Sequence, residues 1–124
     1  MSLDLSADEA ALQARAGEIA TGVIAPRAAA VDRSEQYPFD NVETLKDAGF
    51  VGMTIPRQYG GQGRSFLDAV LVVEQMAKAC TVTGRIVVET NMGAISTVMA
   101  YGNQGQKKLA ADMVLAGDKP AICI

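Results

Sequence analysis

The sequence predicts an all-α protein, an up-and-down bundle of five to six helices. Three observations point there. Apolar residues recur at steps of three and four along most of the 124 residues. Helix-start patterns stand at three places, Ser6 with Glu9, Ser65 with Asp68, and Asn103 with Gln106. Glycines stand where helices should stop, at Gly49 and Gly117.

The first helix opens on Ser6 and Glu9, and Leu12, Ala16, Ile19, Ala20 and Val23 form its apolar stripe. Pro26 interrupts it or starts a second helix, because its ring clashes with the carbonyl four residues back. Residues 27–33 are Ala-rich and continue as helix, and 34–38 form a connector. Pro38 then starts a short helix with Phe39, Val42 and Leu45 on one side. Gly49 suits a left-handed cap, with Phe50 folding back onto the helix. Residues 51–63 hold four glycines and a proline, which makes an ordered loop rather than a strand, with Tyr59 packed beneath it.

Ser65 caps the next helix. Over 66–80, Asp68, Glu74, Gln75 and Lys78 fall within one arc. The apolar remainder, Phe66, Leu67, Val70, Val73, Met76, Ala77 and Cys80, predicts a buried position. Residues 84–101 read as one long, less amphipathic helix. A last helix runs from Asn103 to its stop at Gly117. Ile122-Cys123-Ile124 is strand-like, and a lone strand leaves its backbone groups without partners. Either another chain supplies the partner or the protein continues, and the second is expected here.

Composition excludes some chemistry. Eleven Lys and Arg against 14 Asp and Glu give a net charge of −3, and neither His nor Trp occurs. A Ser-His-Asp or Cys-His nucleophile cannot be built from this chain, nor can a His-ligated metal. Two cysteines are too few for a disulfide framework or a four-cysteine site, and no metal is expected. Cys80 and Cys123 read as buried thiols, and the methionines as core filler. Mild acidity argues against nucleic acid as a partner. The N-terminus lacks the basic and apolar regions of a signal peptide, and no stretch is apolar enough for a membrane span. A cytoplasmic protein is expected.

One charged pair stands out. Arg85 and Glu89 are the only charges between Lys78 and Lys107, and a spacing of four puts them on one helix face. An arginine buried or half-buried among apolar neighbours needs an anionic partner. It is either paired internally with Glu89, or it faces a pocket and holds a carboxylate or sulfinate in a bidentate fork. Spacing alone favours the internal pair. The run 56–63 is glycine-rich but lacks the spacing of a phosphate loop.

Several segments resemble the N-terminal helical domain of the acyl-CoA dehydrogenase family. They are Leu5-Ser6-Ala7-Asp8-Glu9, Ile24-Ala25-Pro26, Leu45-Lys46-Asp47-Ala48-Gly49-Phe50, Ile55-Pro56-Arg57-Gln58-Tyr59-Gly60-Gly61-Gln62-Gly63, Tyr101-Gly102-Asn103-Gln104-Gly105-Gln106-Lys107 and Leu115-Ala116-Gly117. The resemblance implies a helical domain over 1–118, with 119–124 beginning a flavin-binding β-barrel domain that is absent here. It implies an FAD enzyme that α,β-dehydrogenates acyl-CoA thioesters, with its carboxylate base outside these residues. Arg85, Glu89, Thr90 and Gly93 fall on substrate-binding positions, with Arg85 suited to an anionic acyl end and Glu89 orienting it. Ile122 and Ile124 fall on positions beside the flavin. An electron-transfer acceptor and a homo-dimer or tetramer are also implied.

Glu35-Gln36-Tyr37-Pro38, Met76-Ala77-Lys78-Ala79-Cys80, Gly84-Arg85-Ile86 and the segment 117–124 are also similar to one branch of that family, the 3-sulfinopropionyl-CoA desulfinases. Those enzymes bind FAD but release sulfite, lack the usual catalytic glutamate and use an arginine for the sulfino group. A reading of another class remains, a non-catalytic helical subunit pairing with a flavin-bearing partner. In every case the 124 residues alone are expected to be inactive, to hold no FAD, and to be marginally stable or self-associating.

Overall fold

A computed structural model describes residues 4–118 and 120–122. Among them the chain forms seven α-helices: α1 (Ala7–Ile19), α2 (Ala25–Ser34), α3 (Phe39–Asp47), α4 (Phe66–Ala79), α5 (Thr81–Asn91), α6 (Ala94–Tyr101) and α7 (Gln104–Ala116). A π turn, Ala20–Ile24, joins α1 to α2 without a break, so the helices make six rods. In that turn the Ala25 N–H reaches back to the Ala20 carbonyl. Pro26 sits in the first turn of α2, where its missing N–H matters least. The wider π turn gives its ring room, so helical backbone runs on through Pro26.

All three helix starts are reciprocal capping boxes. Glu9 N–H donates to Ser6 Oγ at 3.2 Å, and Ser6 N–H to the Glu9 carboxylate at 2.7 Å. Ser65 with Asp68 and Asn103 with Gln106 repeat the arrangement. Gly49 adopts φ +74°, and the Phe50 N–H then donates to the Leu45 carbonyl at 2.8 Å. That turn drives Phe50 into the core, where it is fully buried beside Leu45, Met53, Ile55 and Val72. Gly117, at φ +96°, ends α7 in the same way.

Helix α4 is central, packed between α1 and α5. The α4–α5 crossing is close because Gly84 has no side chain. A Cβ there would lie 2.7 Å from Ala77 Cβ and 2.9 Å from Ala77 Cα. The central place of α4 is as expected, and Met76 and Cys80 of its expected face are buried, but the rest of that face is shifted. Ala69, Leu71, Val72 and Met76 are inside, whereas Phe66, Leu67 and Val70 are exposed. Helix α1 meets α4 at Gln75 and α5 meets it at Ala77, and a helix apolar nearly all round cannot tell which arc its partners will leave open. Cys80 is buried as expected, and so are Met53 and Met76, but Met113 is exposed. Cys123 lies outside the described residues.

The loop after α3 is ordered and contains one short 3-10 turn, Arg57–Tyr59. Tyr59 is buried and its hydroxyl donates to Gln104 Oε1. Asn91, fully buried at the end of α5, ties this loop down. Its Nδ2 donates to the Phe50 carbonyl at 2.8 Å and the Val87 carbonyl at 2.9 Å, and its Oδ1 accepts from Thr54 N–H at 3.3 Å. Removing it strands buried backbone groups. Asn91→Ala is expected to cost about 2–3 kcal/mol, read as a lower urea midpoint at unchanged slope.

The expected helix over 84–101 is two helices. Met92 and Gly93 both donate N–H to the Val88 carbonyl, at 2.8 and 3.1 Å, which closes α5. Ser96 Oγ donates to the carbonyls of Met92 and Gly93, both at 2.9 Å, which fixes the start of α6. Residues 120–122 have no regular structure. The rest of the strand expected over 122–124 lies outside the described residues.

Candidate functional site

Beside α5 lies a cleft of about 560 Å³. Its floor is α5 itself, through Thr81, Val82, Arg85, Ile86, Glu89 and Thr90. Tyr37 forms one wall, and Pro120, Ala121 and Ile122 form another. Helix α5 can lie open on this side because Thr83, Gly84, Val87 and Asn91 carry its burial on the other.

Arg85 and Glu89 share the cleft face, and the Arg85 Nη2 is paired with the Glu89 Oε1. Their settings are unequal. The Arg85 side chain is 73% exposed, contrary to the expectation of burial, while that of Glu89 is 16% exposed. The arginine lies opposite the buried face of α5, so its head enters the cleft rather than the core. Because the arginine end of the pair is exposed and Glu89 engages it through Nη2, its other N–H groups stay open to a ligand. Glu89 Oε2 is, among the described residues, the one buried side-chain polar atom without a hydrogen-bond partner.

Thr90 reaches the cleft, but its hydroxyl donates to the Ile86 carbonyl at 2.9 Å, one turn back. It shapes the wall and has no proton left for a ligand. Gly93 does not line the cleft. It sits at the α5–α6 break, facing Glu89 Oε2. Ile122 lines the cleft and is 56% exposed, and Ile124 lies outside the described residues. Sequence reasoning missed Tyr37, placed in a connector far from α5 in the chain. It packs edge-on against Phe39, with ring centroids 5.0 Å apart. Burial raises its phenol above the ordinary value.

The cleft therefore presents apolar walls and one exposed guanidinium, braced by a carboxylate. Such a site takes an apolar stem that ends in an anion.

A sequence model described as "Acyl-CoA dehydrogenase, N-terminal domain" matches residues 6–118. The chain belongs to the acyl-CoA dehydrogenase family. Within it, the chain is 61% identical over 121 residues to a 3-sulfinopropanoyl-CoA desulfinase of Variovorax paradoxus, covering 98% of this chain and 30% of that one. It is 58% identical to the desulfinase of Cupriavidus necator, covering 91% and 29%. Against a short-chain specific acyl-CoA dehydrogenase of Clostridium acetobutylicum the identity is 27%, covering 96% and 31%. The chain thus spans about a third of the length of these curated relatives. A chain from the solved structure "Electron transferring flavoprotein of Acidaminococcus fermentans: Towards a mechanism of flavin-based electron bifurcation" superposes with a TM-score of 0.85 at 25% identity, covering 94% of this chain and 31% of that one. Among its described residues the chain is all-helical, as expected of an acyl-CoA dehydrogenase N-terminal domain, and no helix there is long and apolar enough to cross a membrane.

Proposed function

We propose that this chain is the N-terminal domain of a flavoprotein that acts on an acyl-CoA whose acyl group ends in a sulfinate. One observation carries the reading: the exposed Arg85 guanidinium standing in an apolar cleft, braced by Glu89. The identities of 54–61% to desulfinases, against 27–31% to acyl-CoA dehydrogenases, favour the sulfinate over a carboxylate end. Val82, Ile86 and Ile122 would pack the acyl stem, Arg85 would bind the anion in a bidentate fork, and Glu89 would fix the direction of the fork.

The test is the product formed by the full-length protein from 3-sulfinopropanoyl-CoA. Sulfite release without an electron acceptor supports the desulfinase reading. Enoyl-CoA formation from plain or dicarboxylyl acyl-CoA, dependent on an acceptor, would replace it with the dehydrogenase reading.

FAD is part of the same proposal, and when bound it supplies the hydride acceptor of the dehydrogenase reading. What this chain can offer it is apolar and slight: Ile122, half-exposed at the cleft edge, fits against a ring but holds no phosphate. The proposal puts the rest of the flavin site in a β-domain expected to begin at 119. The isolated 124 residues are therefore expected to purify without a flavin absorbance band, and a band at unit stoichiometry would contradict this. A cytoplasmic homo-oligomer completes the proposal. The solved structure whose description names an electron transferring flavoprotein supports an electron-transfer acceptor for the dehydrogenase reading.

A further inference from the structure

The unpartnered Glu89 Oε2 points at the feature that seats it. A Cβ built on Gly93 would lie 2.5 Å from that oxygen, against 3.3 Å from the Glu89 Cα and 3.4 Å from its Cδ, so the carboxylate oxygen is the atom it meets hardest. The carboxylate occupies the space a side chain at 93 would need. We infer that Gly93 is a positioning residue: its missing side chain seats the Glu89 carboxylate, and Glu89 in turn holds the Arg85 fork toward the anionic end of the substrate. The inference rests on the proposed role of Arg85.

Three facts make the carboxylate, rather than the backbone, the part that must yield. The end of α5 is fixed by the two N–H bonds from Met92 and Gly93 to the Val88 carbonyl. The start of α6 is fixed by Ser96 Oγ on the carbonyls of Met92 and Gly93. Asn91 and Ile95, on either side, are buried. Glu89, by contrast, is the free end of a flexible side chain. Its two oxygens belong to one rigid group, so displacing Oε2 also moves Oε1, which is the oxygen paired with Arg85. Gly93 thus acts on the substrate site without lining it.

The experiment is a coupling cycle in the full-length holoenzyme. The readout is the ratio of KM for a plain acyl-CoA to KM for the anionic-ended acyl-CoA of the same length. Gly93→Ala is expected to lower that ratio about tenfold, the scale of one hydrogen bond to a charged group. In a Glu89→Ala background the space is already open, so adding Gly93→Ala is expected to change the ratio less than about twofold. Glu89→Asp keeps the charge, withdraws it from both Gly93 and Arg85, and is expected to match Gly93→Ala. It carries the test if Gly93→Ala does not fold. A Gly93→Ala ratio equal to wild type, an equal loss in both backgrounds, or a wild-type ratio in Glu89→Asp would each overturn the inference. Arg85→Ala separates the two levels. If it leaves the ratio unchanged, the proposed role of Arg85 fails; if it alone collapses the ratio, only the role of Gly93 fails.

Discussion

Arg85→Ala in the full-length protein is expected to raise KM for an anionic-ended acyl-CoA by about 10- to 100-fold, the range for charge-assisted hydrogen bonds made by a fork. The KM ratio against a plain acyl-CoA should collapse with it, because a plain chain leaves the guanidinium to Glu89 and water. Lysine should restore only part of the loss: it returns the charge but not the planar two-point contact. On the sulfinate substrate kcat should fall as well, because the group the arginine holds is the one that leaves as sulfite; on a carboxylate-ended analogue the effect belongs in KM or Kd alone. Equal losses on both substrates would mean that Arg85 supports the fold of α5 rather than the ligand. A lower urea midpoint would accompany that outcome, because the substitution leaves the largely buried Glu89 carboxylate without its partner.

The largest effect on stability is expected at Gly61. A Cβ there would lie 2.0 Å from the Ile55 carbonyl oxygen and 2.5 Å from Ile55 Cβ. Neither can retreat. Ile55 is buried, and its carbonyl accepts the Gly63 N–H at 2.9 Å, which closes the loop. Gly61→Ala is therefore expected to cost about 3 kcal/mol or more, by overpacking a site with no free direction. Gly22 is the control. It is exposed in the π turn, and nothing lies within 4 Å of its Cβ position, so Gly22→Ala should shift stability by less than about 1 kcal/mol. Urea midpoints of the two variants decide it, and equal midpoints would contradict the packing described. Thr54 and Asn91 fasten the loop to the end of α5, between Glu89 and Gly93, so the loop supports the proposed Glu89–Gly93 contact.

Local chemistry was legible in the sequence where a few neighbouring residues decide the outcome. The three capping boxes, the stops at Gly49 and Gly117, and the shared face of Arg85 and Glu89 all follow from spacings of three and four. What depends on a partner element was not legible. The apolar residues of α4 run nearly all round the helix, so only the positions of α1 and α5 reveal that Phe66, Leu67 and Val70 stay outside. The break at Met92 and Gly93 was hidden because a lone glycine inside a helical pattern is tolerated; its role shows only when Glu89 is seen against it. The exposure of Arg85 was missed for the same reason. Its apolar neighbours in sequence are buried by the close crossing at Gly84 and Ala77, which turns the arginine outward. Tyr37 joins the site from across the chain, and no local pattern announces that.

The central claim is that the α5 cleft grips an anion through Arg85. The most direct measurement is a crystal structure of the full-length protein with an unreactive acyl-CoA that carries a carboxylate in place of the sulfinate. The expected result is a carboxylate in the cleft with two oxygens about 2.7–2.9 Å from Arg85 nitrogens, and Glu89 still paired behind. A carboxylate bound elsewhere, with Arg85 facing only Glu89 and solvent, would contradict the account.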